Sequence, residues 1–204
     1  MKNWATIPDQ SIIDTTMAAL EKNGMHAILV ETAQAAKAKA LELIPQGAEV
    51  MTMTSETLDA IGLSSEINES GHFDAVKPKL YALDPKTQKR EQKRLGTVPE
   101  YVIGSVHAVT QDGKVLVATN SGSQLPAYIY GADHVLWIVG AQKITSTLEE
   151  GMQRVEEYVL PLESERAKKA YGAPGSQISR MLITNKEPVA DRTTIIFVKE
   201  ILGY

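Results

Sequence analysis

Cysteine is absent from this chain of 204 residues. The protein can therefore form no disulfide, and it has no thiolate to offer to a zinc ion or an iron–sulfur cluster. Redox chemistry would require a bound cofactor or another subunit, and the sequence itself predicts no cofactor. The four histidines are scattered, with no His-x-x-x-His pair, so we predict no metal site.

A basic excess and a long apolar run are also missing. Lysine and arginine number 21 against 25 aspartates and glutamates, which gives a net charge of −4. This balance provides no general attraction to nucleic acid or to anionic membranes. No apolar run is long enough to span a bilayer, and residues 1–6 lack the apolar core of a signal peptide. We therefore expect a cytoplasmic protein that binds neither nucleic acid nor membranes.

Three common functional signatures are absent as well: the Walker loop, the Gly-x-Gly-x-x-Gly fingerprint and the Gly-x-Ser-x-Gly elbow. No internal repeat or low-complexity linker divides the chain. Its length can bury a sizeable core as one domain. We expect a single domain over residues 1–204, with residues 1–45 as an N-terminal β/α portion packed on it.

Helical and strand-like segments alternate along the chain. Residues 26–30 form the short apolar run of a strand, and Thr32 can cap a helix over residues 33–44. Residues 134–139 are almost continuously apolar, which suits a strand covered on both faces. This alternation predicts an α/β domain of three layers, with a mostly parallel sheet and at least one antiparallel hairpin.

The clearest hairpin lies near the middle of the chain. Two apolar, β-branched runs, residues 102–110 and 115–119, flank a Gln-Asp-Gly-Lys turn in which Gly113 can adopt positive φ. The second run ends in a small polar loop, residues 120–123. That loop is either a ligand-binding loop or a simple connection between elements.

The C-terminal part opens with a strong helix signal. Residues 146–149 form a capping-box pattern, and apolar residues at helical spacing continue it as an amphipathic helix. Pro161 is expected to end this helix, because proline lacks the N–H that a helix interior requires. A second short segment then runs to Tyr171. Two later apolar runs, residues 181–184 and 194–198, are predicted strands.

A basic run occupies residues 84–94. Lys86, Arg90 and Arg94 would share one face of a helix there. This face is either an anion-facing wall or a solvated surface. The solvated surface is favoured, because Glu91 lies within the run and no aromatic residues interleave with the charges.

Several candidate strand ends carry polar residues suited to an anion. Ser55 and Thr57 lie at a strand-to-helix turn, where free amides can hold a phosphate or carboxylate. Ordinary capping by Thr54 or Ser55 is the favoured alternative. Lys143 follows the apolar strand 134–139 and is either a site cation, at a strand end where α/β sheets place ligands, or an exposed loop cation.

Arg166 is a further cationic candidate, although an intrahelical pair with Glu163 is its favoured interpretation. Lys143 and Glu163 are the catalytic candidates, for charge or proton transfer, and no nucleophile–base pair emerges. In a parallel sheet these segments could converge on one pocket. The predicted ligand-binding residues are Ser55, Thr57, Asn120, Ser121, Gly122, Ser123, Lys143 and Arg166.

Taken together, these segments resemble the LUD-domain family, which includes lactate-utilisation protein C and the YkgG-type proteins. The resemblance runs from about Thr52 to the C-terminus. Its motifs are Ser55–Leu63, Ala108–Gly113, Ser121–Ser123, Tyr130–Ala132, Val139–Ile144, Arg154 and Pro161–Arg166.

The resemblance implies a Rossmann-like sheet of the NagB/RpiA/CoA-transferase-like superfamily, with a pocket at strand ends. It also implies a role in oxidising L-lactate to pyruvate, beside an oxidoreductase and partners that carry iron–sulfur clusters. Many relatives have Gly-Asn-Arg after the hairpin, whereas this chain has Gly122-Ser123-Gln124. A guanidinium able to clamp a carboxylate is therefore missing at that position.

Two hypotheses follow. In the preferred one, the chain is a non-cluster component of a lactate-utilisation assembly that binds a small anion, and a homo-oligomer is compatible with it. In the other, it is a stand-alone enzyme or binding protein for a small phosphorylated or acyl-CoA-type anion, held by the Ser55/Thr57 turn and the 120–123 loop. Lys143 or Glu163 would then supply charge or proton transfer.

Overall fold

The computed structural model describes residues 2–204. Its main layer is a six-stranded sheet in the order β1-β10-β7-β4-β2-β3, in which every neighbouring pair is parallel. The strands of this sheet are β1 (His26–Val30), β2 (Glu49–Thr52), β3 (Asp74–Ala75), β4 (Tyr101–Gly104), β7 (His134–Gly140) and β10 (Thr193–Val198).

A second, four-stranded sheet has the order β8-β5-β6-β9. The β5–β6 and β6–β9 pairs are antiparallel, and the β5–β8 pair is parallel. The strands are β5 (Ala108–Thr110), β6 (Val115–Thr119), β8 (Ile144–Thr145) and β9 (Arg180–Thr184).

Helices connect most of these strands. Two wider π-helical turns, Ala127–Gly131 and Val155–Val159, occur besides the α-helices. Within residues 2–204, no helix combines the length and the apolar character needed to cross a bilayer. The α-helices are α1 (Gln10–Lys22), α2 (Ala33–Leu43), α3 (Glu56–Ala60), α4 (Leu63–Glu69), α5 (Val76–Ala82), α6 (Lys89–Leu95), α7 (Leu148–Arg154) and α8 (Leu160–Tyr171).

The core explains why the central strands are apolar throughout. Side chains alternate across a strand, so Trp137 of β7 joins one cluster and Ile138 joins another. The first cluster also contains Val115 of the small sheet, and the second contains Ala36 of α2. Both faces of the parallel sheet are therefore covered, which confirms the predicted three-layer α/β class.

The predicted hairpin forms, but its first strand is shorter than expected. Gly113 has φ +80° in the turn between β5 and β6. The predicted run 102–110 divides between the two sheets, because β4 ends at Gly104. A Cβ on Gly104 would lie 1.9 Å from Tyr128 Oη, so the backbone passes very close to that ring. Residues 105–107 then carry the chain from the large sheet to the small one.

The expectation that Pro161 ends a helix is wrong. The chain stays helical from α7 through the π-helical turn and into α8. Leu160 N–H bonds to Val155 O, five residues back, and Pro161 falls in the first turn of α8. Proline is accommodated there because the π-helical turn before it shifts the hydrogen-bonding register, and proline has no N–H that the i→i−4 pattern would require. The helix ends instead at Gly172, which has φ +62°.

Candidate functional site

A cleft of about 880 Å³ opens at the carboxyl ends of β2, β4 and β7. These three strands are neighbours in the parallel sheet, so the segments that follow them emerge side by side. The polar loop after β6 and one side of α8 complete the wall. Ligands of open α/β sheets bind at this edge, outside the carboxyl ends of the strands.

The structure brings the predicted site residues together around this cleft. All eight predicted ligand-binding residues line it, as does the catalytic candidate Glu163. They arrive from four parts of the chain: the turn after β2, the loop after β6, the segment after β7, and α8. Ligand binding itself stays a prediction.

Lys143 forms part of the floor of the cleft. Its residue surface is 1% exposed, and its Nζ donates to Thr57 Oγ1 at 3.1 Å, Ser105 Oγ at 3.0 Å and Val106 O at 3.1 Å. The alternative of an exposed loop cation is therefore wrong. Burial, with a smaller contribution from the nearby Arg154 cation, holds the pKa of Lys143 well below its usual value.

Arg154 is a second buried cation beside this floor. It is 0% exposed, and its Nη1 donates to His107 O. Its Nε and Nη2 have no hydrogen-bond partner among residues 2–204. Burial lowers the pKa of Arg154 to about 10, so the guanidinium remains charged at neutral pH. The guanidinium also lies 5.2 Å from the centre of the Tyr158 ring.

Neither Lys143, which lines the cleft, nor Arg154, which lies behind the lining, has an acidic partner. In the described part of the chain, no carboxylate forms a salt bridge with Lys143 or Arg154. Sequence reasoning assigned no role to Arg154 beyond its place in the family resemblance. The available signal was a cation directly before Val155, on a helix whose buried side includes Gly151.

His107 lines the cleft between the two buried cations. Its Nδ1 accepts a hydrogen bond from Ala118 N–H at 3.1 Å, which places the ring proton on Nε2. Burial lowers the pKa of His107 to about 3, and the positive charges of Lys143 and Arg154 add to the effect. The ring is therefore a neutral N–H donor at physiological pH.

Ser55 and Thr57 have structural partners of their own. Ser55 caps α3 by accepting a hydrogen bond from Leu58 N–H at 3.4 Å, so the capping alternative is what the structure shows. Thr57 Oγ1 accepts from Lys143 and donates to Leu202 O at 3.4 Å. Thr57 thus fixes the lysine against the turn after β2.

Glu163 and Arg166, the two candidates on α8, pair with each other at the wall of the cleft. Arg166 donates to both carboxylate oxygens of Glu163 at 2.7 Å, and Tyr204 Oη donates to the same carboxylate at 2.6 Å. Burial acts to raise the pKa of Glu163, but these hydrogen bonds outweigh it and leave the pKa below its usual value. Glu163 is therefore an ionised carboxylate, as the predicted intrahelical pair implies, and it has no proton to donate.

The wall lysines lie on helices α5 and α6. Lys77, Lys89 and Lys93 line the cleft, whereas Lys86, Arg90 and Arg94 are solvent-exposed, as the favoured interpretation predicted. Lys86 lies before α6, so the prediction that it shares a helical face with Arg90 and Arg94 is wrong. Lys89 and Lys93 are four residues apart and so occupy one stripe of α6. Burial lowers the pKa of Lys77, and no carboxylate within residues 2–204 forms a salt bridge with it.

The loop of residues 120–123 is held by β9 and the segment before it. Arg180 Nη1 donates to the carbonyl oxygens of Asn120 at 3.1 Å and Ser121 at 3.4 Å. Asn120 Oδ1 accepts from Ser179 Oγ at 3.1 Å. Gly122 has φ +80°, a conformation that favours glycine. A guanidinium does reach this loop, but it comes from Arg180 and binds backbone carbonyls.

Comparisons with known proteins identify the family and solved structures to which this one is similar. The sequence matches the LUD domain over residues 13–198. The structure is similar to the crystal structure of a DUF162 family protein from Deinococcus radiodurans, with a TM-score of 0.58 and 14% identity, covering 95% of this chain and 99% of that chain. It is also similar to a D-ribose-5-phosphate isomerase in complex with phospho-erythronic acid, with a TM-score of 0.41 and 11% identity, covering 82% and 94%. No curated protein matches the sequence. The match to the LUD domain extends over most of the chain, and the chain therefore belongs to the LUD-domain family.

Proposed function

We propose that this protein binds a small organic anion at the floor of the cleft. The observation that carries the proposal is the positive charge at the floor. Lys143 lines the floor, and Arg154 lies behind it, bonded to the carbonyl oxygen of His107, with no salt-bridging carboxylate for either cation among residues 2–204. An unpaired buried charge destabilises a fold by several kcal/mol, about 3–5 kcal/mol where a partner has been removed. An anion at the floor would contact Lys143 and lie near the charge of Arg154, and so would offset part of that loss.

The cleft is larger than a small anion requires. Ligand pockets typically enclose about 300–1,000 Å³, and this cleft lies near the upper end. A three-carbon acid would occupy only the floor. Lys77, Lys89 and Lys93 extend the positive charge along the wall, where a phosphate or the tail of an acyl-CoA-type ligand would bind.

At the level of the cell, the proposed role is that of a non-cluster component in the oxidation of L-lactate to pyruvate. Membership of the LUD-domain family and the anion-binding floor support it. Because the chain has no cysteine, iron–sulfur clusters would be carried by a partner, next to an oxidoreductase subunit. The alternative is a stand-alone enzyme for a phosphorylated or acyl anion, which the wall lysines favour.

A ligand screen tests the binding proposal. Thermal unfolding is measured with L-lactate, pyruvate, a sugar phosphate and a CoA ester, and a bound anion raises the midpoint by mass action. We expect the rise to shrink in Arg154→Met and to persist in Lys169→Met, a control on the exposed side of α8. If no anion raises the midpoint of the wild-type protein, the proposal is wrong.

Co-expression tests the assembly. The chain is produced together with a cysteine-rich cluster protein and an oxidoreductase encoded beside it, and the complex is isolated by affinity purification. Recovery of all three in fixed stoichiometry supports the lactate-utilisation role. Anion binding by a chain that co-purifies with neither partner supports the stand-alone alternative.

A further inference from the structure

We propose that Ser105 and His107 each donate one hydrogen bond to the carboxylate of the bound anion, and so select a carboxylic acid as the ligand of the cleft. The inference rests on the proposed binding of a small anion and names the group by which that anion is recognised. It also separates the residues that supply charge at the floor from those that supply directed hydrogen bonds.

Neither buried cation has a free N–H that reaches the cleft. An ammonium has three N–H donors, and Lys143 Nζ uses three, on Thr57, Ser105 and Val106. Arg154 lies behind the lining of the cleft, and its unpartnered nitrogens are buried. Both cations therefore act on a ligand through their charge, and its oxygen atoms need other donors.

Ser105 is the partner of Lys143 that has a proton to offer to a ligand. Val106 provides only a carbonyl oxygen, and Thr57 is buried with its hydroxyl directed to Leu202 O. Ser105 Oγ accepts from Lys143 at 3.0 Å, and its own proton has only a contact of 3.5 Å with Val106 O, which is long for a hydroxyl donor. Ser105 is half-buried and lines the cleft, so that proton can turn to a ligand.

His107 supplies the second donor. Its Nδ1 accepts from Ala118 N–H at 3.1 Å, and because a backbone amide only donates, the proton of the neutral ring lies on Nε2. Within residues 2–204, Nε2 forms no hydrogen bond and is not one of the buried atoms that lack a partner, so it is open to the cleft. The backbone of β6 thus orients a fixed N–H towards the ligand.

The two donors lie side by side in the fold. Ser105 and His107 belong to the segment that carries the chain from β4 to β5, and the side chain of Val106 between them packs into the core. Two donors match the two oxygens of a carboxylate, whereas a phosphate group has three terminal oxygens to satisfy. The charge of Lys143, which bonds to Ser105, strengthens that hydroxyl as a donor.

One carboxylate of the cleft, Glu163, lies near this pair. Its charge acts on the ring of His107, although burial and the two cations outweigh it and keep the pKa of His107 low. Arg166 donates to both oxygens of Glu163, and Tyr204 donates to one of them. The charge of Glu163 is therefore offset by its own partner, and the floor still favours an anion.

Nitrogen-15 NMR of the whole chain with labelled histidine tests the inference. The free protein should give one protonated and one unprotonated ring nitrogen for His107, and His107→Asn identifies these signals among the four histidines. Adding L-lactate or pyruvate should shift the Nε2–H signal, because that donor gains a charged acceptor. L-Lactamide, a neutral amide of the same size as lactate, should leave the signal in place.

Calorimetric titration with L-lactate and pyruvate measures the two hydrogen bonds. His107→Asn keeps an acceptor for Ala118 N–H, and we expect it to weaken binding about tenfold, because a hydrogen bond to a charged group is lost. Ser105→Ala should lose less, about threefold, because it releases an N–H of Lys143 that can partly replace the hydroxyl. His72→Asn, an exposed histidine outside the cleft, is the matched control and should bind as wild type does.

The outcomes separate this inference from the proposed function. Binding of a carboxylate that leaves the Nε2–H signal in place, with normal affinity in His107→Asn, overturns the inference and keeps anion binding. Binding of only the sugar phosphate or the CoA ester does the same, because a phosphate group is then what the cleft recognises. If no anion binds, the proposed function fails and the inference fails with it. The signal of the wild-type protein decides the matter even if His107→Asn folds poorly.

Discussion

Two arginines are buried among residues 2–204, and they differ in what surrounds them. Arg192 is 7% exposed and forms a salt bridge of 2.8 Å with the buried Glu187. Its remaining nitrogens donate to the carbonyl oxygens of Ala127, Tyr128 and Ala132. Arg154 is 0% exposed, bonds to one carbonyl oxygen, and leaves two nitrogens without a partner among residues 2–204.

The difference separates a cation that stabilises the fold from one whose burial destabilises it. Arg192 ties β10 to the π-helical turn containing Tyr128, a residue of the cleft wall. A fully hydrogen-bonded guanidinium with a carboxylate loses little by burial, whereas an unpaired one is destabilising. Arg154 bonds to the carbonyl oxygen of His107, which lines the cleft, so we infer that its charge acts on the floor from behind the lining.

The largest expected effect concerns Arg192. Glu187→Gln removes its buried counter-ion and also weakens the bond that Thr193 Oγ1 makes to Glu187. We expect a loss of about 3–5 kcal/mol in the free energy of unfolding, because the guanidinium is left buried and unpaired. Urea denaturation measures it. A loss below about 1 kcal/mol would contradict the comparison.

Arg154→Met should change the stability of the protein little and should weaken anion binding. Removing an unpaired buried charge offsets the loss of one hydrogen bond, so we expect the free energy of unfolding to change by less than about 1.5 kcal/mol. The affinity for the anion found in the ligand screen should fall about tenfold, which is about 1.4 kcal/mol, because a positive charge directly behind the floor is lost. Calorimetric titration measures the affinity. A variant as unstable as Glu187→Gln that binds the anion normally would make Arg154 a structural residue.

Much of this architecture is local and can be predicted from sequence. Thr32 and Ser55 cap helices, Gly113 adopts positive φ in the hairpin turn, and the central strand is apolar because both faces are covered. Residues that follow parallel strands emerge at one edge, so the meeting of Ser55, Thr57 and Lys143 could also be predicted, whereas the loop after β6 and helix α8 reach the cleft from outside that sheet.

The features that distinguish the floor depend on contacts between distant parts of the chain. Lys143 is buried by Thr57, 86 residues earlier, and by Ser105, 38 residues earlier. No local pattern separates such a lysine from an exposed one. Pro161 is misleading for a related reason, since the π-helical turn before it changes the hydrogen-bonding register within a continuous helix. The division of residues 102–110 between two sheets depends on Tyr128, which packs against Gly104.

The pH dependence of stability tests whether His107 stays neutral in the folded protein. Its pKa is lowered from 6.5 to about 3 in the folded state, so below pH 6.5 the unfolded chain binds a proton that the folded chain does not. Stability must therefore fall as the pH drops from 6.5 towards 3. Going from about pH 7.5 to about pH 6, we expect wild type to lose about 0.8 kcal/mol relative to His107→Asn. Asparagine keeps an acceptor for Ala118 N–H and cannot titrate. Parallel curves for the two proteins, measured by urea denaturation, would contradict the neutral histidine.

The smallest expected effect lies at the wall of the cleft, where Lys93 is exposed to solvent. Lys93→Gln should weaken anion binding no more than about threefold at low salt, because an exposed charge is well solvated. The effect should vanish near 0.5 M salt, where the screening length is only a few ångströms. The loss caused by Arg154→Met should persist at this salt concentration, since buried charges are poorly screened.

Arg94→Gln is the matched control for Lys93→Gln. It lies on the exposed side of the same helix and pairs with Glu91. Titrations at two salt concentrations decide the matter: if Lys93→Gln loses as much affinity as Arg154→Met at both, the anion binds along the wall and the floor is not its site.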